Sequence, residues 1–207
     1  MAMQMAGGRG ALKERRDDLN ETPACAIEAL VAHETMLQRH IPIWECAAGK
    51  GAIARVLLKH GFLVEMTDLC GHDGADKGIR SGVDFLMERH PPTPHMRIIV
   101  TNPPYKLTDE FIDHGLNMGC YVIVLLRFMY AEGVDGRIRG SGLRSKLVDN
   151  HLERVWLGRE RLPMMHRDGW EGKKIDASGV PHAWFVFSPV DHRADRGFIV
   201  NRISWRL

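Results

Sequence analysis

The chain lacks most of the features that would settle its class at once. Its four cysteines, Cys25, Cys46, Cys70 and Cys120, form no CxxC pair, which argues against a zinc ribbon or a disulfide framework. No stretch approaches 18 consecutive apolar residues, so no membrane span is expected. Residues 1–10 hold no apolar core of the kind a signal peptide needs, and the cytoplasm is the expected compartment. Internal repeats and low-complexity tracts are absent. Net charge is only +2. That excludes a histone-like partner held by bulk charge and leaves local basic patches open.

What is present fits an ordinary globular unit: 207 residues, 44% hydrophobic and 26% charged. Residues 1–19 carry no apolar periodicity and read as a mobile tail ahead of one domain over 20–207. Cys70, His72 and Asp73 lie close together, but such a short mixed run is weak grounds for a metal site, and none is expected.

The pattern alternates strands and helices. Thr22-Pro23 reads as a helix start, with Thr22 as cap and Pro23 at the first helical position. Ile27, Leu30, Val31 and Leu37 suit its buried face. An apolar run from Ile41 to Ala48 leads into Gly49-Lys50-Gly51, and Ile53, Val56 and Leu57 follow at helical spacing up to Gly61. A strand over Phe62–Met66 ends at Asp68. Gly71–Gly82 reads as a loop and Gly82–Leu86 as a short strand-to-helix transition. Arg97–Val100 is a short strand entering Thr101-Asn102-Pro103-Pro104-Tyr105. Thr108 is placed to cap a helix carrying Phe111, Ile112 and Leu116, ended by Gly119. Tyr121–Leu126 is a continuous apolar run, typical of a central parallel strand. Beyond it come a short helix within Ser141–Asn150, a strand over Leu152–Leu157, a long polar loop over Arg159–Val180, a strand over His182–Phe187 and an edge segment at Phe198–Val200. Such alternation implies an open α/β sheet with helices on both faces.

Three features carry chemistry. Glu45 to Gly51 occupy a strand-to-helix turn whose small residues let a ligand approach the backbone, although the third glycine of the dinucleotide fingerprint is missing. Asp68 follows at the end of the next strand, placed either to accept hydrogen bonds from ribose hydroxyls or to stand as a solvated loop acid. Asn102-Pro103-Pro104-Tyr105 is the decisive one. Two prolines hold the Asn102 side chain and the Pro103 carbonyl in place and offer no N–H of their own. The turn therefore presents oxygens to a donor such as a planar NH₂, and Tyr105 adds a flat face for a base to stack on. The alternative is a Pro-rich structural turn.

On these residues the chain resembles the class I S-adenosylmethionine (SAM)-dependent amino-methyltransferases, and most closely the small phage- or prophage-type DNA adenine-N6 methyltransferases. The resemblance runs from about Leu19 to Pro189. It rests on Glu-Thr-Pro (21–23), ECAAGKG (45–51), Thr-Asp-Leu (67–69), Gly-Val-Asp-Phe-Leu (82–86) and TNPPY (101–105), with LLRFMYAEG (125–133), RLPMMHRDGW (161–170) and HAWFVFSP (182–189) in support. It implies a Rossmann-like class I methyltransferase fold: a mostly parallel central sheet, helices on both faces and an antiparallel C-terminal strand. It implies SAM as cofactor and methyl transfer to an exocyclic amine, adenine N6 in DNA, on a flipped-out base. Thr22 and Pro23 would pack near the cofactor's methionine part. Glu45, Cys46, Ala47, Gly49 and Gly51 would surround its amino-acid end. Asp68 would bind its ribose, with Leu69 beside the adenine. Asp84 and Phe85 would read that adenine, although Asp84 equally suits a helix cap. Asn102, Pro103, Pro104 and Tyr105 would form the catalytic centre. Cys46 and Ala47 stand where the family often has proline. Methylation of RNA bases or of a protein glutamine amide, or an idle nucleic-acid-binding version of the fold, are the alternatives.

Nucleic acid is favoured by the charge distribution. Residues 1–126 hold 13 basic and 16 acidic groups, a net −3, and residues 127–207 hold 15 and 10, a net +5. Arg137, Arg139, Arg144, Lys146, Arg154, Arg159, Arg161, Arg167, Lys173 and Lys174 are candidate phosphate contacts. Lys106, Arg127, Arg161, His166 and Trp170 are candidate substrate-binding residues, the last two for stacking or wedging. A solvated basic face with a structural tryptophan is the competing reading.

Overall fold

The computed structural model describes residues 21–132, 142–163, 179–191 and 197–206. The expected tail lies outside these residues, as do Arg137, Arg139, His166, Arg167, Trp170, Lys173 and Lys174.

The described chain builds one eight-stranded sheet. In chain order the elements are α1 (Ala24–His33), β1 (Ile43–Glu45), α2 (Ala52–Lys59), β2 (Val64–Asp68), β3 (Arg80–Ser81), β4 (Ile98–Thr101), α3 (Thr108–Asn117), β5 (Tyr121–Arg127), α4 (Leu143–His151), β6 (Leu152–Gly158), β7 (His182–Phe187) and β8 (Ile199–Ile203). Short 3-10 turns cover Phe85–Met87, Tyr105–Leu107 and Phe128–Glu132. The strand order is β3-β2-β1-β4-β5-β7-β6-β8. All neighbours are parallel except β7, which runs antiparallel to both β5 and β6.

Side-chain alternation shows why the sheet sits between two layers. Val122, Val124 and Leu126 join one core with Phe111, Ile112 and Leu116 of α3 and Leu147 and Val148 of α4. Ile123 and Leu125 join the other with Ile27 and Leu30 of α1 and Ile53, Val56 and Leu57 of α2. A strand apolar at every position is what burial on both faces demands. β1 departs after β2 to one side and β4 to the other, so the sheet reverses its winding between β1 and β4. A crevice opens there at the carboxyl ends of the strands.

Local details differ from the sequence expectation where a side chain finds a distant partner. Pro23, not Thr22, takes the cap position of α1, with no side-chain cap. The Thr22 hydroxyl instead accepts the Asn102 amide, 80 residues away. Thr108 is the first residue of α3 rather than its cap, and its hydroxyl donates to the Tyr105 carbonyl at 3.2 Å. The expected loop over Gly71–Gly82 contains β3, which pairs with the end of β2. The edge segment expected at Phe198–Val200 is longer, and as β8 it runs parallel to β6.

One buried ion pair closes the fold across 120 residues. Glu34, just past α1, is 2% exposed. It accepts two hydrogen bonds from Arg154 of β6, both 2.8 Å, one from Trp156 Nε1 at 2.9 Å and one from the Met36 amide at 3.0 Å. Burial pushes the carboxyl pKa up, but these four donors together outweigh it and hold the group below its ordinary value. A carboxylate so lowered adds stability above the ordinary glutamate range, and that stability is lost as pH falls through the folded-state value. Glu34→Gln is therefore expected to cost about 3 kcal/mol near pH 7. The gap to the native chain should shrink below about pH 4.3, as read by denaturant melts across pH.

Candidate active site

The crevice holds a cavity of about 310 Å³, at the lower end of the range for small-molecule sites. Four chain segments form it: Glu45 to Ile53 after β1, Asp68 to His72 after β2, Val83 to Leu86, and Asn102 to Leu107 after β4. Glu21 and Thr22 close one side and Phe111 backs another.

Glu45 is the last residue of β1 and is 1% exposed. Its carboxyl accepts the Ala54 amide at 2.8 Å, one of the first-turn N–H groups that α2 cannot satisfy internally. Burial raises its pKa well above the ordinary value, and the nearby Asp68 and Asp76 carboxylates add to this against the Ala54 amide and Arg55. Asp68, 8% exposed, accepts the Gly49 amide at 2.7 Å and the Cys70 amide at 2.8 Å. His72 Nε2 lies 3.5 Å from it. The acid thus ties together the loops after β1 and β2. Each carboxylate oxygen can accept more than one bond, so this tie does not exhaust it.

Gly51 stands apart from the cavity lining. Its φ of +90° lies in the left-handed region, and a Cβ there would come within 2.4 Å of Asp76 Oδ2. The close approach seen at this glycine is to Asp76, which also pairs with Arg55 at 3.1 Å. Pro23 and Pro103 likewise do not line the cavity, nor does Tyr105, whereas Asn102 and Pro104 do.

Asp84 meets the cap reading, in a 3-10 turn, and also lines the cavity. Its carboxylate caps the 3-10 turn by accepting the Leu86 amide at 3.1 Å, and its exposed side chain lines the cavity. Phe85 reaches the cavity but is 2% exposed. Its ring packs on Trp44 at 5.1 Å and Phe111 at 4.8 Å between centroids, so most of it serves the core. The open apolar surface belongs to Leu69, 59% exposed, and Leu107, 40% exposed. The sequence does not mark Leu107, Leu86, Phe111, Glu21 or Lys50 individually as cofactor residues, and it offers His72 only for a metal. Their periodicity marks helix or loop, and only the fold brings them to one place.

Asn102 is the hub of the catalytic-type turn. Its Nδ2 donates to Thr22 Oγ1 at 3.2 Å, which ties the side chain to the segment ahead of α1. The Arg127 guanidinium lies over the Tyr105 ring, 5.0 Å from its centroid. Arg127 ends β5 opposite His182 at the start of β7. His182 is buried, and burial, with the positive charges of Arg127 and Arg161, lowers its pKa despite its bond to the Val180 carbonyl. Arg161 donates to the Gly179 carbonyl at 3.3 Å. Lys106, Arg127 and Arg161 are all exposed. The expected substrate residues that are described therefore share the sheet edge that carries Asn102. Among the described residues, no group of three or more His, Cys, Asp or Glu is arranged to hold a metal, and no helix is long and apolar enough to cross a membrane.

No protein-family model matches the chain, and no curated protein matches its sequence. Solved structures do resemble it. The modification subunit of a protein assigned as a type I restriction enzyme from Vibrio vulnificus YJ016 superposes with a TM-score of 0.55 at 14% identity, covering 93% of this chain and 50% of that one. A protein described as an RNA methyltransferase from Pyrococcus horikoshii gives 0.54 at 12%, covering 81% and 84%. A protein described as a hemolysin from Lactococcus lactis gives 0.53 at 12%, covering 86% and 91%. The chain thus spans half the length of the Vibrio subunit. At these identities the likeness shows the fold, that of the Rossmann-like methyltransferases, and the third neighbour illustrates that fold does not fix activity.

The buried Glu45 gives the first test of the site. With its folded pKa raised, it holds its proton to higher pH in the folded chain than in the unfolded one, so it subtracts stability as pH rises above the ordinary glutamate range. Glu45→Gln keeps an acceptor for Ala54. Thermal melts of the variant should hold or gain on the native protein as pH rises above that range, and a growing deficit with pH would contradict the upward shift.

Proposed function

We propose that the chain is a SAM-dependent N-methyltransferase acting on the exocyclic amine of adenine in DNA. The observation that carries this reading is the Asn102 turn, fixed by Thr22 at the mouth of a cavity whose lining suits the cofactor. Three carboxylates, Glu21, Asp68 and Asp84, face one lysine, Lys50, around that cavity. Glu45 adds no charge if protonated. Such an acid excess favours a ligand carrying an ammonium and a sulfonium. Asp68 and Asp84 offer acceptors for hydroxyl and amine groups, and Leu69, Leu86 and Leu107 offer an apolar wall for a purine. The neighbours assigned as a modification subunit and an RNA methyltransferase support the same class.

When bound, SAM supplies a methyl group activated by its sulfonium. The residues of this chain have the other task, because the N6 lone pair of adenine is delocalised into the ring. The Asn102 side-chain oxygen and the Pro103 carbonyl accept hydrogen bonds from the NH₂. They would favour a more tetrahedral nitrogen and orient its lone pair for attack, the N–C bond forming as the S–C bond breaks and one amine proton passing to water. Positive charge developing on that nitrogen is stabilised by the same two oxygens. Thr22 acts one step back, as the positioning residue whose hydroxyl anchors the Asn102 side chain. Tyr105 stacks on the base once it has left the helix. Lys106, Arg127 and Arg161 form the phosphate-facing rim.

The test is label transfer from methyl-labelled SAM to DNA, RNA and protein offered in parallel. DNA labelled at adenine N6 is the expected result. Labelling of RNA or of glutamine alone would move the substrate class, and SAM binding without transfer would favour an idle protein. Asn102→Ala should lose turnover by at least about 100-fold while its SAM affinity, by calorimetry, stays within a few fold of the native value. Full turnover in that variant would remove Asn102 from the mechanism.

A further inference from the structure

We propose that Met129 is a wedge that enters a DNA duplex and fills the space the target base vacates, so that the natural substrate is paired DNA. This rests on the DNA reading above and adds to it a residue and a substrate state.

The segment after β5 is built to expose one apolar side chain and fix its neighbours. Met129 is 59% exposed. The residues on either side of it are anchored. The Phe128 amide donates to the Pro181 carbonyl at 2.8 Å, which pins the turn to the strand start of β7. Tyr130 is buried, and its hydroxyl donates to Asp109 at 2.8 Å. Its ring packs edge-on against Phe185 at 5.6 Å between centroids. Arg144 braces the same point, 3.2 Å from Asp109 and over the Tyr130 ring at 4.7 Å. Burial, first, and then the Asp109 carboxylate push the Tyr130 pKa up, so the hydroxyl keeps the proton it donates. Met129 therefore sits on a 3-10 turn held on both sides, with little freedom to fold back.

Its position suits a wedge rather than a stray surface methionine. Arg127, two residues earlier, lies over the Tyr105 ring. β4 and β5 are parallel neighbours, so Met129, just past the end of β5, leaves the sheet at the same end as the Asn102 turn that follows β4. A cation, Arg127, precedes it by two residues at the end of β5. Proteins that unstack a duplex combine this pair of features: an unbranched or branched apolar side chain to part the bases, and basic groups to hold the adjacent phosphates. Methionine's flexible thioether can follow the shape of the gap. A surface methionine with only solvent to face gains nothing from so rigid a support.

The experiment compares unmethylated plasmid DNA, native and heat-denatured, as acceptors of labelled methyl groups. Met129→Ala should lose at least tenfold on native DNA and stay within twofold of the native enzyme on denatured DNA, and Met129→Leu should keep both activities. Should the native enzyme label only native DNA, the tenfold loss and its rescue by leucine decide on the duplex alone. Equal activity of Met129→Ala and the native enzyme on native DNA overturns the wedge, as does an equal loss on both forms. Absence of label from both forms with the native enzyme overturns the DNA reading itself, a result distinct from either of these.

Discussion

The cavity exists because one carboxylate holds two loops together. Asp68 ends β2, and its two oxygens take the Gly49 amide from the loop after β1 and the Cys70 amide from the loop after β2. These loops lie on adjacent parallel strands, where the backbone amides have left the sheet ladder and need other acceptors. A charged acceptor makes such bonds stronger than a neutral one. Without it the turn bearing Gly49 would lose its anchor and the crevice its wall. The same acid lines the cavity. On the proposed reading, structural and binding roles fall on one residue, and an Asp68 substitution that abolished ligand binding would not by itself identify a ligand contact.

How much of this was legible in the sequence depends on the range of the interaction. β5, β7 and the strand ends at Asp68 and Thr101 followed from apolar runs and turn residues, because their burial is written locally. Gly49, Asp68, Asp84 and Asn102 line one cavity, but chain order alone does not join Asp84 to the others; the family resemblance does. What stayed hidden was long-range. Thr22 reads as a helix cap, and nothing nearby tells that its hydroxyl meets Asn102. Gly51 reads as a place for a ligand, yet its missing Cβ makes room for Asp76. Glu34, Arg154 and Trp156 sit on a helix end and a strand that look unrelated until the sheet brings them together. Phe85 looks like a stacking ring, but a flat apolar residue beside a ligand and one in a core have the same sequence signature.

The two sides of the site differ in charge, and the difference follows from connectivity. Strands β1, β2 and β4 deliver Glu45, Asp68 and the acids near them into the crevice. Arg127 at the end of β5, Arg161 just past β6 and His182 at the start of β7 lie at the same edge. The near-zero net charge of the chain is an average over these two surfaces. Burial beside two arginines keeps His182 from adding a third positive charge, so the edge carries fixed guanidinium charge that does not vary around neutral pH. A polyanion approaching this edge meets cations outside and carboxylates within, which lets phosphate dock on the rim while disfavouring its entry into the cavity.

This division also constrains how a base would arrive. Arg127 lies over the Tyr105 ring, so a base stacking on that face must displace the guanidinium, and one stacking on the opposite face must not. In the first case the cation–π contact, worth about 0.5 to 1 kcal/mol at an exposed site, is a small barrier compared with the few kcal/mol needed to unstack a base. Holding Tyr105 in place therefore costs little on binding. The freed guanidinium is then available to a phosphate at the moment the duplex is deformed, when added cation contacts have most to offset. In the second case Arg127 backs the ring and the base sandwiches it from the front. Either way the contact orders Tyr105 before substrate arrives, which lowers the entropy lost when the stack forms.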